Sequence, residues 1–334
     1  MRLVCASATA LRIALVSVTG AVLVSGCHVP GTASGTASSG SGSITVAVVP
    51  GIDNAPLRLA VQDGLFRQHG LNVTVQSYDS VGSEIRALAA GHADIAIGDY
   101  TDFLSTEATG TAKLRLIADG YDAVANSIEV LTLPNSGITT PQALANKPVA
   151  TPPADISGYQ RSVPYNMATM ATEQVLQSDG VSPNSVYWQQ MPMKDMIAAL
   201  RNHSVKAILA TEPYVFEAEA RLGAVEVLDS CSGVTAGLPL SGYFSLDSYA
   251  RNQASTVQAF QAALSQAQSN ASMRGPLEAA LPTMTGMTTQ DAAMVTIGTY
   301  PTALSIGQVQ RVATLMLDSG MITNPMDVRG LVFP

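Results

Sequence analysis

From residue 44 to residue 228 the chain repeats one theme: a short β-rich run, a break, then apolar residues at helical spacing. Residues 44–49 form an unbroken run of β-branched residues and alanine, which predicts a buried strand, and Pro50-Gly51 stops it. Leu57, Ala60, Val61, Leu65 and Phe66 then fall on one helical face, with Asn54 placed to cap a helix over 54–66. Residues 71–75 alternate as a strand, 84–90 read as a short helix opened by Ser80 to Ser83, and 94–98 read as a third strand. Asp99 is placed to cap the helix that follows, to about Ala108. Further strands are expected at 114–117 and 128–133. A second series follows, with strands at 147–150, 186–189, 205–210 and 224–228, helices at 165–177 and 193–201, and helix starts at Thr140-Pro141 and Thr211 to Pro213. A strand at 242–245 returns, and from Asp247 onward the chain reads as mostly helical. Repeated strand–helix–strand units predict an α/β fold with mainly parallel sheets, and two successive series predict two lobes.

The N-terminal residues address the membrane. Arg2 and Arg12 precede an apolar stretch that ends in Leu23-Val24-Ser25-Gly26-Cys27. Positive charge, a short apolar run and small residues make a secretory signal over 1–26. The small pair before Cys27 resembles a bacterial lipobox, which implies cleavage before Cys27 and lipidation of its sulfur. Residues 27–43, nearly all Gly, Ser, Thr and Ala after the first few, read as a flexible tether. Removing residues 1–26 would leave 15 basic against 25 acidic residues, shifting the net charge from −8 to −10. That charge argues against nucleic acid as a partner and assigns membrane attachment to the lipid rather than to basic residues. Cys5 leaves with the signal and Cys27 is acylated, so Cys231 stands alone, either as a buried thiol or as a reactive one. His28, His69, His92 and His203 have no metal-ligand spacing, and no cofactor or metal is expected.

The run Ala60-Val-Gln-Asp-Gly-Leu-Phe66, then Gly70-Leu-Asn-Val73, then Ala87-Leu-Ala-Ala-Gly91-His-Ala-Asp94 resembles the solute-binding proteins of ABC importers. The similarity is to the nitrate/sulfonate/taurine/thiamine-precursor subgroup, the NMT1-type, SsuA/THI5-like family, and Thr211-Glu-Pro-Tyr214 matches its second-lobe motif. The resemblance implies an α/β, two-lobed periplasmic-binding-protein-like (type II) clamshell with a helical C-terminal segment. Lobe 1 would be discontinuous, over 44–130 and 235–334, and lobe 2 would cover 131–234, with crossings near 130–134 and 235–241. It implies capture rather than catalysis: a monomer that closes on a small nutrient and docks on an ABC permease driven by its ATPase. A pyrimidine synthase of the same fold uses a cysteine-rich motif that this chain lacks. A lipid-tethered sensor is the alternative of another class.

In such folds ligands sit beyond the carboxyl ends of strands. That rule nominates Asp53 and Asn54 after the first strand, Ser80, Gly82 and Ser83 after the second, and Asp99, Tyr100 and Thr101 after the third. Tyr121 follows the fourth, and Asp99 could equally be a helix cap alone. In the second lobe the candidates are Ser157, Tyr159 and Tyr165 in a long loop, Trp188 and Met191, then Thr211, Glu212 and Tyr214, with Tyr243 near the return crossing. Trp188 reads equally as core, and Glu212 as a complement to a helix N-terminus. Tyrosines, one tryptophan and carboxylates suit a flat, nitrogen-bearing aromatic or heterocyclic ligand, such as a thiamine precursor. An alkylsulfonate, taurine or nitrate is the alternative.

Overall fold

β1 (Gly42–Val48) shows why the first run is a central strand: Ile44, Val46 and Val48 face one core and Ala47 the opposite one, as the two-residue period of a strand requires. A computed structural model describes residues 42–154 and 166–334 of the chain. The signal segment 1–26, nearly all of the tether 27–43 with Cys27, and the loop candidates Ser157, Tyr159 and Tyr165 lie outside the described residues.

After β1 come α1 (Ala55–Gln62), α2 (Leu65–Gln68), β2 (Leu71–Ser77), α3 (Val81–Ala89), β3 (Ile95–Asp99), α4 (Tyr100–Ala108) and β4 (Leu114–Asp122). The single helix expected over 54–66 is two, because Gly64 sits in the left-handed region (φ 71°) and breaks it. Next come β5 (Ile128–Thr132), β6 (Pro148–Thr151), α5 (Met167–Ser178), β7 (Tyr187–Gln190), α6 (Met193–Arg201), β8 (Ala207–Thr211), α7 (Tyr214–Leu222) and β9 (Val225–Asp229). Thr140-Pro141 opens only a 3-10 turn. The remainder is β10 (Pro239–Leu246), α8 (Asp247–Asn252), α9 (Ala254–Ala271), α10 (Arg274–Thr285), α11 (Thr289–Ala292) and α12 (Ile306–Asp318).

Two sheets result, ordered β2-β1-β3-β10-β4 and β7-β6-β8-β5-β9. Each is parallel apart from one reversed strand, β10 in the first and β5 in the second. The chain crosses between sheets at residues 123–127 and returns at 230–238. The first crossing thus precedes the expected 130–134: all of β5 pairs with β8 and β9, so residues 128–130 belong to the second lobe. The two crossing segments lie side by side, with the Ala123 amide donating to the Leu238 carbonyl (2.9 Å).

Helices cover both faces of each sheet. In the first lobe Phe66 stacks on Phe260 of α9 (5.2 Å) on one face, and Phe103 stacks on Phe244 (4.1 Å) on the other. In the second lobe α5 covers one face, and α6 and α7 the other. The helical C-terminal segment adds a further core around Tyr121 and Tyr300. Among the described residues no helix is long and apolar enough to cross a membrane.

Candidate functional site

A cavity of about 290 Å³ opens between the carboxyl ends of the two sets of strands. The first lobe supplies the turn after β1, the ends of β3 and β4, the start of α3 and Leu240-Ser241 of β10. The second supplies the ends of β6 and β8 and the starts of α5 and α6, with Ser127 and Ile128 of the crossing between them.

Asp53 is held at the turn by its neighbour. Asn54 does not cap α1; its amide reaches back to the Val49 carbonyl (2.7 Å) and to Asp53 Oδ1 (3.2 Å), while Arg58 Nε donates to Asn54 Oδ1 (3.1 Å). Burial pushes the Asp53 carboxyl up to about 6, partly offset by Ser241 and by Asn54. The Ser241 hydroxyl is 1% exposed and lies close enough to Asp53 to favour its charge, yet makes no hydrogen bond of normal length and angle. Gly51 is needed here for space: a Cβ would meet Asp53 Oδ1 at 2.6 Å.

Asp99 and Asp102, at the start of α4, also line the cavity. Glu84 lies behind the wall, its Oε2 3.0 Å from where a Gly98 Cβ would sit, and neither oxygen makes a hydrogen bond of normal geometry. Burial first, then the charges of Asp53, Asp99 and Asp102, push its carboxyl well above the usual range, against the opposing Val49 amide.

From the second lobe Glu212 lines the cavity, with both oxygens engaged. Oε1 accepts from the Thr296 amide (2.8 Å) and Oε2 from the Phe216 amide in the first turn of α7 (3.1 Å). Burial still raises its pKa. Thr211 donates to Met193 Sδ (3.4 Å), and both line the cavity. Asn166 caps α5 by accepting from the Thr169 amide (2.9 Å) and donates to the Pro152 carbonyl (3.0 Å).

Of the nominated residues, the cavity brings together Asp53, Asp99, Tyr121, Thr211 and Glu212. The other nominated residues that are described do not line it, and Ser157, Tyr159 and Tyr165 lie outside the described residues. Asn54 organises the turn, and Ser80 caps α3 through the Ser83 amide (3.3 Å), with Gly82 and Ser83 inside that helix. Tyr100 is buried and donates to Asp119 Oδ1 (2.8 Å), while Thr101 is buried in the first turn of α4. Tyr243 lies in the core against Phe260. Trp188 donates to the Pro183 carbonyl (3.2 Å) at the edge of the second-lobe core, and Met191 and Tyr214 pack beside α6. These residues are displaced from the cavity by strand alternation or by a helix turn that aims the neighbouring side chain elsewhere. The apolar lining, including Val81, Ile97, Met167 and Leu240, carries no signal in the sequence that separates it from ordinary core. Cys231 is buried, and its thiol is pushed up to about 12.

A family model described as NMT1/THI5 like matches residues 52–279. No curated protein matches in sequence. Among solved structures, the periplasmic aliphatic sulphonate binding protein SsuA of Escherichia coli is similar at 18% identity and a TM-score of 0.71, over 87% of this chain and 97% of that one. The periplasmic nitrate-binding protein NrtA of Synechocystis PCC 6803 is similar at 14% identity and 0.66, over 86% and 84%. The desulfurization enzyme DSZB is similar at 14% and 0.67, over 88% and 96%. At these identities the likeness is one of fold: the two-lobed, type II periplasmic-binding-protein clamshell.

Proposed function

We propose that this chain, which belongs to the NMT1/THI5-like family, is an extracytoplasmic solute-binding protein that captures a small molecule between its lobes and delivers it to an ABC importer. The observation that carries the reading is the cavity itself, enclosed by strand ends and helix starts of both lobes, so that one ligand would touch both and favour the closed form. Binding proteins for sulphonate and nitrate share the fold, which supports the role. DSZB shares it too, so capture rather than turnover is part of the proposal. The lipobox-like run before Cys27 supports anchoring through that residue, a flexible tether would let the body turn above the membrane, and the body would act as a monomer with a permease and its ATPase as partners. The ligand would be a nitrogen-bearing nutrient, of the aromatic or heterocyclic kind expected from the sequence, in preference to an alkylsulfonate, taurine or nitrate.

Native mass spectrometry of the protein purified from rich cell extract tests this. A retained small molecule that leaves unchanged on release and raises the melting temperature on return establishes capture. Conversion of that molecule to a product, or no response to a broad nutrient panel, would overturn the reading. Metabolic labelling with an alkyne fatty acid should mark the wild type and not Cys27→Ala.

A further inference from the structure

We infer that the start of α7 is a latch between the lobes: Glu212 and Phe216 dock on the first-lobe segment 293–300 when the lobes close and leave it when they open. Phe216 is then a positioning residue for capture, and the inference rests on the solute-binding reading above. The Glu212 carboxylate serves one lobe with each oxygen. Oε2 accepts from the Phe216 amide of its own helix (3.1 Å), and Oε1 accepts from the Thr296 amide of the other lobe (2.8 Å). The same carboxylate lines the cavity. Phe216 is half-buried against the first-lobe cluster that holds Ile52, Leu281, Val295 and Tyr300, whereas Val215 and Ala218 beside it are buried in the second-lobe core.

Each half of the contact is fixed within its own lobe. The Arg274 guanidinium donates to the Ala293 and Val295 carbonyls (2.9 and 3.1 Å), the Gly298 amide donates to the Tyr121 hydroxyl, and Thr299 pairs with Asp122 through both backbone groups (2.9 and 3.0 Å). The segment therefore moves with the first lobe, and α7 with the second. The chain joins the lobes at the crossings 123–127 and 230–238. Another apolar contact between them, Met167 and Met170 of α5 in one cluster with α12, includes Leu238 of the return crossing and so belongs to the pivot. The α7 contact has no chain link across it, so rotation about the crossings can break and re-form it. One hydrogen bond and one half-buried ring are an interaction of the size that a ligand shifts. A guest packed beside Glu212 would exclude water from the carboxylate and strengthen its bond across the lobes, which links occupancy to closure.

The ligand-free full-length protein tests the latch, by small-angle X-ray scattering for the lobe arrangement and by amide hydrogen exchange for the contact itself. Phe216→Ala should increase the radius of gyration over the wild type and speed exchange at the Thr296 amide about tenfold, with the central amides of β1 and β8 unchanged. Phe216→Leu, which keeps an apolar side chain at the contact, should recover most of both effects. Tyr214→Ala is the control, because Tyr214 lies on the same helix but packs against the second-lobe core. It should lower the melting temperature and move neither the radius nor the Thr296 amide. A wild-type radius in Phe216→Ala would overturn the latch whether or not the Thr296 amide quickens, since the contact would then persist or fray without movement of the lobes. Equal effects in Tyr214→Ala, or faster exchange throughout β1 and β8, would overturn it by making Phe216 a residue of general stability. No guest takes part in these measurements, so their failure leaves the solute-binding reading standing, and failure of that reading shows instead in what the wild type retains from extract.

Discussion

Asp53 ties the chemistry of the cavity to the stability of the fold. Its carboxyl is raised from 3.8 to about 6, so the folded chain binds more protons than the unfolded one between those values. Stability from this group therefore falls as pH rises through that window and stays lowered above it. A shift of two units is about 3 kcal/mol, and because the side chain is only half-buried, about 1–3 kcal/mol is the expected cost at neutral pH. Asp53→Asn should raise the melting temperature at pH 7.5 and change it little near pH 3, below the window, where the carboxyl is mostly protonated in both states. Glu84→Gln should likewise stabilise at neutral pH, since burial and three neighbouring carboxylates oppose its charge. A loss of stability in both variants at pH 7.5 would mean that the two carboxylates are held by interactions stronger than their desolvation. Gly51→Ala acts through position alone: the new methyl must displace the Asp53 carboxylate, so ligand affinity should drop while thermal stability changes little. The sequence made Asp53 legible as a strand-end residue, because a turn after a buried strand is where such folds place ligands. It could not separate Asp99 from Tyr100, since adjacent residues at a helix start aim in different directions and only packing decides which one meets the cavity.

At the scale of elements, the segment after α11 matters more than its irregular backbone suggests. It gives the Thr296 amide to Glu212 of the second lobe, and Thr299 pairs with Asp122 at the end of β4. Gly298 permits that approach, because a Cβ there would meet the Asp122 carbonyl at 2.2 Å. Glu212→Ala would leave the Thr296 and Phe216 amides without their acceptor, at about 1–3 kcal/mol for each one that stays buried. The expected result is a lower melting temperature, with faster amide exchange at Thr296 and Phe216; unchanged exchange at both would remove Glu212 from this role. None of this coupling was legible in the sequence, where Glu212 read as a helix-start acid and the chain from Asp247 onward as mostly helical. Hydrogen bonds between residues 84 positions apart leave no local pattern. The misplaced crossing has the same origin. β5 was evident as a strand from its apolar run, but its sheet is fixed by antiparallel pairing with Ala207–Thr211, a contact that periodicity does not encode.

For the molecule as a whole, the alternation of strands and helices carried the architecture, because burying both faces of two sheets demands it. Charge is the other whole-molecule property that the sequence gives directly, and it bears on how a ligand arrives. A formal net charge of −8 sets up a negative field around the chain. For a cationic guest this field accelerates encounter; for a neutral one it does nothing; for an anion it opposes. Salt shortens the range of the field to about 10 Å at 0.1 M, so the three charge states should respond in opposite senses. Raising ionic strength from about 10 to 300 mM should slow association of a cationic ligand several-fold, leave that of a neutral one unchanged and speed that of an anionic one. Stopped-flow fluorescence of Trp188, the only tryptophan, offers the readout, since it lies at the edge of the second-lobe core rather than in the cavity and would report the movement of that lobe. Dissociation rates should change far less, because the paired charges inside a closed cavity are shielded from bulk ions. A charged ligand whose association rate ignores salt would show that the net charge of the chain plays no part in capture.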